Sequence, residues 1–254
     1  HRDLHSFPTR RSSDLLLDAF DQVPFGNMNE LRAAITPETA AIVVEPILGE
    51  GGIVVGSDDY LKALRDTADE FGLLLVFDEI QTGVGRTGKL FAHEWAGVTP
   101  DVMPIAKGIG GGFPVGACLV SEKAAKGMVP GTHGSTFGGN PLAMAVANAV
   151  LDVVTAPGFL EQVQATGARL KAELDALVAR YPTVLADARG KGLMLGLKCV
   201  KPNAEVVTRL RENGLLTVPA AENVIRILPP LTIGDAEIAE AVSIIDKTCQ
   251  ELAQ

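Results

Sequence analysis

The chain has 254 residues, 47% of them hydrophobic and 21% charged, which is enough to bury a core in one large domain or two modest ones. Its formal net charge of -9 argues against a nucleic-acid groove, and it contains no apolar run of about 18 residues that would span a membrane. Cys118, Cys199 and Cys249 are odd in number and widely spaced, as expected of reduced thiols in a cytoplasmic protein; His1, His5, His93 and His133 form no ligand cluster, so no metal site is expected.

Read from the start, His5-Ser6-Phe7-Pro8-Thr9-Arg10-Arg11-Ser12-Ser13-Asp14-Leu15 resembles a translated sequencing adapter, with neither the apolar centre of a signal peptide nor a helical period. Residues 1–15 are therefore expected to be foreign, and the natural protein to continue upstream. His1-Arg2-Asp3-Leu4 imitates the start of a kinase catalytic loop, but Pro8 stands where that loop needs Asn and no Asp-Phe-Gly follows.

Beyond this segment the pattern predicts a short helix at 29–35, an apolar strand at 41–45 ended by Pro46, and a glycine loop at 49–52. Ser57 reads as the N-cap of a helix over 58–71 whose Leu61, Leu64, Ala68 and Phe71 share one face, with Gly72 as its stop. A strand at 73–77 follows and, with 41–45, is apolar throughout as in a parallel sheet covered by helices on both faces; further strands come at 101–105 and 115–120. A glycine-rich loop at 131–140 leads into a helix over 141–154 with proline in its first turn. Thr155-Ala156-Pro157-Gly158 is the clearest boundary. After it come a long helix (159–181), a strand pair (184–189 and 192–200), a helix (204–213), short strands near Leu216 and Ile225, and a closing helix from Asp235. The expected division is 1–15 foreign, 16–155 part of a larger domain, and 156–254 a smaller α+β domain.

Gly83-Val84-Gly85-Arg86-Thr87-Gly88 matches the dinucleotide fingerprint after a strand, which raises an NAD-binding oxidoreductase as a rival. The first glycine comes too late after Phe77 and no long helix follows before Pro100, both against that reading. Lys107, two residues past a strand and followed by Gly108-Ile109-Gly110-Gly111-Gly112-Phe113-Pro114, has the setting of an amine that reacts with a carbonyl, because small neighbours admit a flat cofactor. Asp78 ends the strand at 73–77 and can keep a pyridinium nitrogen protonated. Together the two suggest pyridoxal phosphate.

Four segments in order carry a family resemblance: Val44-Glu45-Pro46-Ile47-Leu48-Gly49-Glu50-Gly51-Gly52, Val76-Phe77-Asp78-Glu79-Ile80-Gln81-Thr82-Gly83-Val84-Gly85-Arg86-Thr87-Gly88, Pro104-Ile105-Ala106-Lys107-Gly108 with its glycine run, and His133-Gly134-Ser135-Thr136-Phe137-Gly138-Gly139-Asn140-Pro141. With these the chain from about Leu16 onward resembles the class III pyridoxal-phosphate-dependent aminotransferases, and within them the acetylornithine and succinylornithine enzymes. The resemblance implies an α/β fold of the fold type I, aspartate aminotransferase-like kind: a mostly parallel sheet flanked by helices plus a smaller carboxy-terminal α+β domain. It implies Lys107 as the residue that carries the cofactor and moves the proton, Asp78 on the pyridinium nitrogen, Gln81 on the phenolic oxygen, and Thr136 with Ser135 at the cofactor phosphate of a neighbouring subunit in a homodimer. It also implies that Glu50 pairs with Arg226 in one half-reaction and frees it for the α-carboxylate of 2-oxoglutarate in the other. Glu45 either lines the same pocket or is structural.

The implied activity is transfer of the δ-amino group of N-acetylornithine to 2-oxoglutarate in arginine biosynthesis, with succinylornithine, ornithine or 4-aminobutyrate as alternative donors. The family's first portion, with its phosphate cup and ring-stacking aromatic, has no counterpart here. The chain alone is therefore expected to bind pyridoxal phosphate poorly, to aggregate readily and to be inactive.

Overall fold

A computed structural model describes residues 19–253 of the chain, so the expectation of a foreign segment at 1–15 lies outside the described residues. In chain order the elements are α1 (Met28–Ala34), β1 (Ala41–Val44), β2 (Ile47–Leu48), β3 (Val54–Val55), α2 (Asp58–Phe71), β4 (Leu74–Phe77), β5 (Val102–Ile105), β6 (Ala117–Val120), α3 (Glu122–Ala125) and α4 (Pro141–Val154). They continue with α5 (Phe159–Arg180), β7 (Leu185–Lys191), β8 (Met194–Cys199), α6 (Asn203–Glu212), β9 (Val218–Ala220), β10 (Val224–Ile227) and α7 (Asp235–Leu252).

The local chemistry sets these bounds. Ser57 Oγ accepts the Tyr60 N–H at the start of α2, and Gly72 closes the helix at φ 71°, a left-handed position that only glycine fills without strain. Asn140 Oδ1 accepts the Ala143 N–H (2.9 Å) and Pro141 follows as the first residue of α4. The first sheet has the order β1-β4-β5-β6, with β1, β4 and β5 parallel and β6 antiparallel. Leu61, Leu64 and Ala68 of α2 pack with Leu75 and Phe77 of β4 in one core. Phe71, expected on that buried face, is 44% exposed at the helix end.

The strands at 41–45 and 73–77 were expected to be covered on both faces, yet Val43 of β1 is 59% exposed; β6 forms the sheet edge, with all four of its residues exposed. Cys118 sits on that edge strand and is exposed. Cys199 and Cys249 are buried, and burial together with their neighbours pushes both thiols up to about 12, so they stay protonated and inert. No single helix among the described residues is long and apolar enough to cross a membrane.

Asp101 sets the register between β4 and β5. Its Oδ2 accepts the Leu75 N–H (2.9 Å) and an Arg65 Nη1–H (2.8 Å), while its own N–H donates to the Leu75 carbonyl (2.8 Å). Burial pushes the Asp101 carboxyl up, but the Leu75 amide and the Arg65 guanidinium outweigh it and hold it below its ordinary 3.8. A depressed carboxyl contributes stability in full above the ordinary value and loses it as pH falls through the lower one. Acid unfolding should therefore be shallower for Asp101→Asn than for the unchanged protein from about pH 4 downward, and parallel curves would refute the linkage.

The second sheet, β7-β8-β10-β9, is antiparallel throughout, and α5, α6 and α7 pack on it around Leu174, Leu177, Leu195, Leu197 and Ile225. The two halves meet at residues 83–88. Arg86, lowered by burial, donates Nη1–H to the carbonyls of Leu193 (3.1 Å) and Pro229 (2.6 Å), and its own carbonyl accepts the Leu193 N–H (3.0 Å). A Cβ on Gly192 would stand 2.4 Å from the Thr87 carbonyl carbon, and one on Gly88 would meet Gln164 at 2.5 Å. These glycines exist for contact between halves and leave no room for a pyrophosphate, which removes the dinucleotide reading. Arg86→Met should cost about 2–4 kcal/mol, because it removes the donor from two part-buried carbonyls. Urea unfolding measures this, and an unchanged midpoint would count against the staple.

Candidate active site

The parallel strands deliver their carboxyl ends to one place. β4 runs directly into Asp78, whose N–H donates to the Val44 carbonyl at the end of β1 (2.9 Å) and whose Oδ1 accepts the Ile80 N–H (2.9 Å), fixing a tight turn. β5 leads through Ala106 to Lys107, which opens a one-turn 3-10 helix, Lys107–Gly110, at φ 46°. A lysine in the left-handed region is strained, and the packing of Ile109 with Val84, Met103, Ile105 and Val154 beneath it holds it there. Its side chain is left exposed.

β1 continues into Glu45 and the β2–β3 hairpin, which the sequence had shown only as a loop. Glu45 Oε2 accepts the Gly49 N–H (2.9 Å). Burial raises the Glu45 carboxyl above its usual range against that hydrogen bond; the negative Asp78 and Glu50 raise it further and Lys107 lowers it. Those couplings bring Glu45, Asp78, Lys107 and Glu50 into one electrostatic neighbourhood.

The hairpin also carries Glu50 to the second sheet. The Glu50 carbonyl accepts the Ala221 N–H (3.0 Å), and a Cβ on Gly52, at φ 101°, would lie 2.6 Å from the Ala221 carbonyl oxygen. Two turns are thus docked backbone to backbone. Across them Arg226 of β10, 7% exposed, grips Glu50 with both arms: Nη1 to Oε1 at 2.6 Å and Nη2 to Oε2 at 3.2 Å. Gln81 joins the pair, its Nε2 at 3.4 Å from Glu50 Oε1 and its Oε1 at 3.5 Å from Arg226 Nη1. It reaches there because residue 49 is glycine: a Cβ would stand 2.4 Å from the Gln81 amide oxygen. The Arg226 Nε is buried without a partner.

Ser135 and Thr136 lie apart from this group on the exposed stretch between α3 and α4. The Ser135 hydroxyl accepts the Gly138 N–H (2.9 Å), a turn contact. Of the eight residues singled out in the sequence, six therefore converge and these two do not.

The sequence model of the family Aminotransferase class-III matches residues 10–249. The chain belongs to the class III aminotransferases. Acetylornithine aminotransferase of Brucella melitensis biotype 1 is 58% identical over 237 residues, covering 93% of this chain and 59% of that relative. Among solved aminotransferase structures, ornithine aminotransferase from Plasmodium yoelii superposes with a TM-score of 0.85 at 34% identity, over 91% of this chain and 62% of that one. Acetylornithine aminotransferase from Elizabethkingia anophelis gives 0.83 at 35% identity, over 91% and 60%. The chain spans about three fifths of the length of the curated relatives it matches. The fold is the class III aminotransferase fold, a mixed sheet flanked by helices, as the four motifs implied.

The donor set fits the ring end of pyridoxal phosphate: an exposed amine, a carboxylate and an amide grouped at the ends of adjacent strands, beside a run of glycines. Two functional-looking features escaped the sequence reading. Glu79, beside Asp78, is 0% exposed, although nothing in its residue type marks it as buried. Asn223, at φ 58°, ties the β10 approach together by donating to the carbonyls of Cys199 (2.7 Å) and Lys201 (2.9 Å). Its signal was present, since Asn is the non-glycine residue that best tolerates the left-handed region.

Proposed function

We propose that the whole protein is a cytoplasmic, homodimeric pyridoxal-phosphate aminotransferase that moves the δ-amino group of N-acetylornithine to 2-oxoglutarate. The observation that carries this reading is the two-armed Glu50–Arg226 pair standing beside Gln81 at the strand ends that hold Asp78 and Lys107. The names of the curated relatives support the donor.

Pyridoxal phosphate, when bound, supplies the electron sink that lets a proton leave the carbon bearing the amine. Lys107 Nζ carries the cofactor and then takes and returns that proton; Asp78 holds the ring nitrogen protonated, and Gln81 donates to the phenolic oxygen. Ser135 and Thr136 serve the phosphate bound in the partner subunit. Glu45 lines the pocket beside the Gly49 N–H. While an amine-terminated donor reacts, Glu50 neutralises Arg226, so no guanidinium draws a carboxylate to the reacting carbon. When 2-oxoglutarate enters, Arg226 exchanges Glu50 for the substrate's α-carboxylate, one fork-matched partner for another. On this reading residues 16–155 belong to the large cofactor domain and 156–254 form the small one that brings Arg226.

The test is to express the full-length protein and compare kcat/KM for N-acetylornithine, N-succinylornithine, ornithine and 4-aminobutyrate. N-acetylornithine should lead. A clear preference for ornithine or 4-aminobutyrate would overturn the donor assignment, and no transfer from any of the four would overturn the function.

A further inference from the structure

Glu79 is a charged residue that the proposed chemistry leaves without a role, yet it is fully buried beside the turn that carries Asp78 and Gln81. Its Oε2 accepts the Thr82 hydroxyl (2.5 Å) and the Ala92 N–H (2.9 Å); its Oε1 accepts the His93 N–H (2.9 Å) and lies 3.1 Å from His93 Nδ1. Its main chain is equally committed. The Glu79 N–H donates to the Pro104 carbonyl of β5 (3.1 Å), three residues before Lys107, and its carbonyl accepts the Gly83 N–H (2.9 Å). A Cβ on Gly83 would stand 2.7 Å from that same carbonyl oxygen, so the turn is closed too tightly to slide.

Glu79 therefore joins three segments: its carboxylate ties the 78–83 turn to the short 3-10 turn Ala92–Trp95, and its main-chain N–H ties both to β5, which ends two residues before Lys107. We propose that Glu79 is a positioning residue, clamping the 78–83 turn so that Asp78 and Gln81 stand in register with Lys107. The inference rests on the aminotransferase reading for what is being positioned. The need for a charge follows from the donors. Four groups converge on two oxygens, and a carboxylate offers only acceptors to them. A glutamine at 79 turns its NH2 toward N–H groups that have no other acceptor, and the turn must move by tenths of an ångström to relieve it. Displacement on that scale reaches Asp78 first, because Asp78 Oδ1 is tied within the same turn to the Ile80 N–H. The short Glu50–Arg226 contacts (2.6 and 3.2 Å) run between the β2–β3 hairpin and β10, and only the longer Gln81 contacts (3.4 and 3.5 Å) link them to the turn, so substrate recognition should change little.

The experiment uses the full-length protein loaded with pyridoxal phosphate and measures kcat per bound cofactor, KM for both substrates, the visible absorbance band and the thermal midpoint. For Glu79→Gln, kcat per bound cofactor should fall about 10- to 100-fold, with both KM values within about threefold of wild type and a displaced absorbance band. A purely structural Glu79 would instead lower the thermal midpoint and cofactor occupancy while kcat per bound cofactor stays the same; that result overturns the proposal. Should Glu79→Gln fail to fold, Thr82→Val and Thr82→Ser carry the test. Loss of the single hydroxyl in Thr82→Val should lower kcat per bound cofactor several-fold, and Thr82→Ser should restore it; equal rates in the two overturn the clamp. Wild-type protein without transfer activity overturns the aminotransferase reading alone, and the absorbance band then decides the clamp: displaced in Glu79→Gln it stands, unchanged it falls.

Discussion

Lys107→Ala removes amino transfer from the full-length protein, with a fall of at least about 10²–10⁴-fold expected from the lost proton transfer alone. Exogenous amines of small size should recover part of it, because the exposed position leaves space for them. The same substitution separates the mechanism from its alternatives, since only a lysine that carries the cofactor takes the visible absorbance band with it when removed. Retained absorbance with retained turnover would sink the assignment. Stability should move the other way. Lys107 sits at φ 46°, a conformation that costs an L-residue roughly 1 kcal/mol and glycine almost nothing. Lys107→Gly without cofactor should therefore unfold about 1 kcal/mol later than Lys107→Ala. Strain at Lys107, held by the apolar cluster beneath it, is what the proposed role of that lysine predicts.

The elements legible in the sequence were those whose signals are local. Ser57 and Gly72 bracket α2 at its true ends, and Asn140-Pro141 starts α4 where the structure does. The apolar runs located the first-sheet strands to within two residues, because short apolar stretches rich in Val, Ile and Leu and bounded by turn residues mark strands even where burial alternates, as it does in β4 and β5. The β2–β3 hairpin and the turn at Ala92–Trp95 were missed, since each is held by distant groups: Ile47 and Ile53 by Met194 and Val224, Ala92 by Glu79. The same distinction applies within the site. Lys107 and Asp78 could be found by their place at strand ends. That Gln81 contacts Glu50 and Arg226 could not, because it depends on Gly49 lacking a side chain 32 residues earlier and on a strand 145 residues later. Arg226 announced itself as a charge inside an apolar strand, Val224-Ile225-Arg226-Ile227, all four residues of which are buried.

Arg226→Leu should raise KM for 2-oxoglutarate about 30- to 100-fold in the full-length protein, the worth of a lost bidentate charge pair of roughly 2–3 kcal/mol, while the half-reaction with N-acetylornithine is largely kept. Stability gives an independent reading of the same pair. Leucine suits a strand whose neighbours are Ile225 and Ile227, and it removes a buried guanidinium whose Nε has no partner. Glu50, with its side chain 43% exposed, is left where water can reach it. Arg226→Leu should thus be neutral or slightly stabilising. Glu50→Ala reverses the situation, stranding a cation whose side chain is only 7% exposed, and should cost about 2–3 kcal/mol, less than a fully enclosed pair because Glu50 itself borders solvent. A bridge kept for stability would show the opposite order, or equal losses on either side, with KM for 2-oxoglutarate unmoved. The asymmetry predicted here is that of a cation retained at a cost to the fold because a substrate carboxylate must find it.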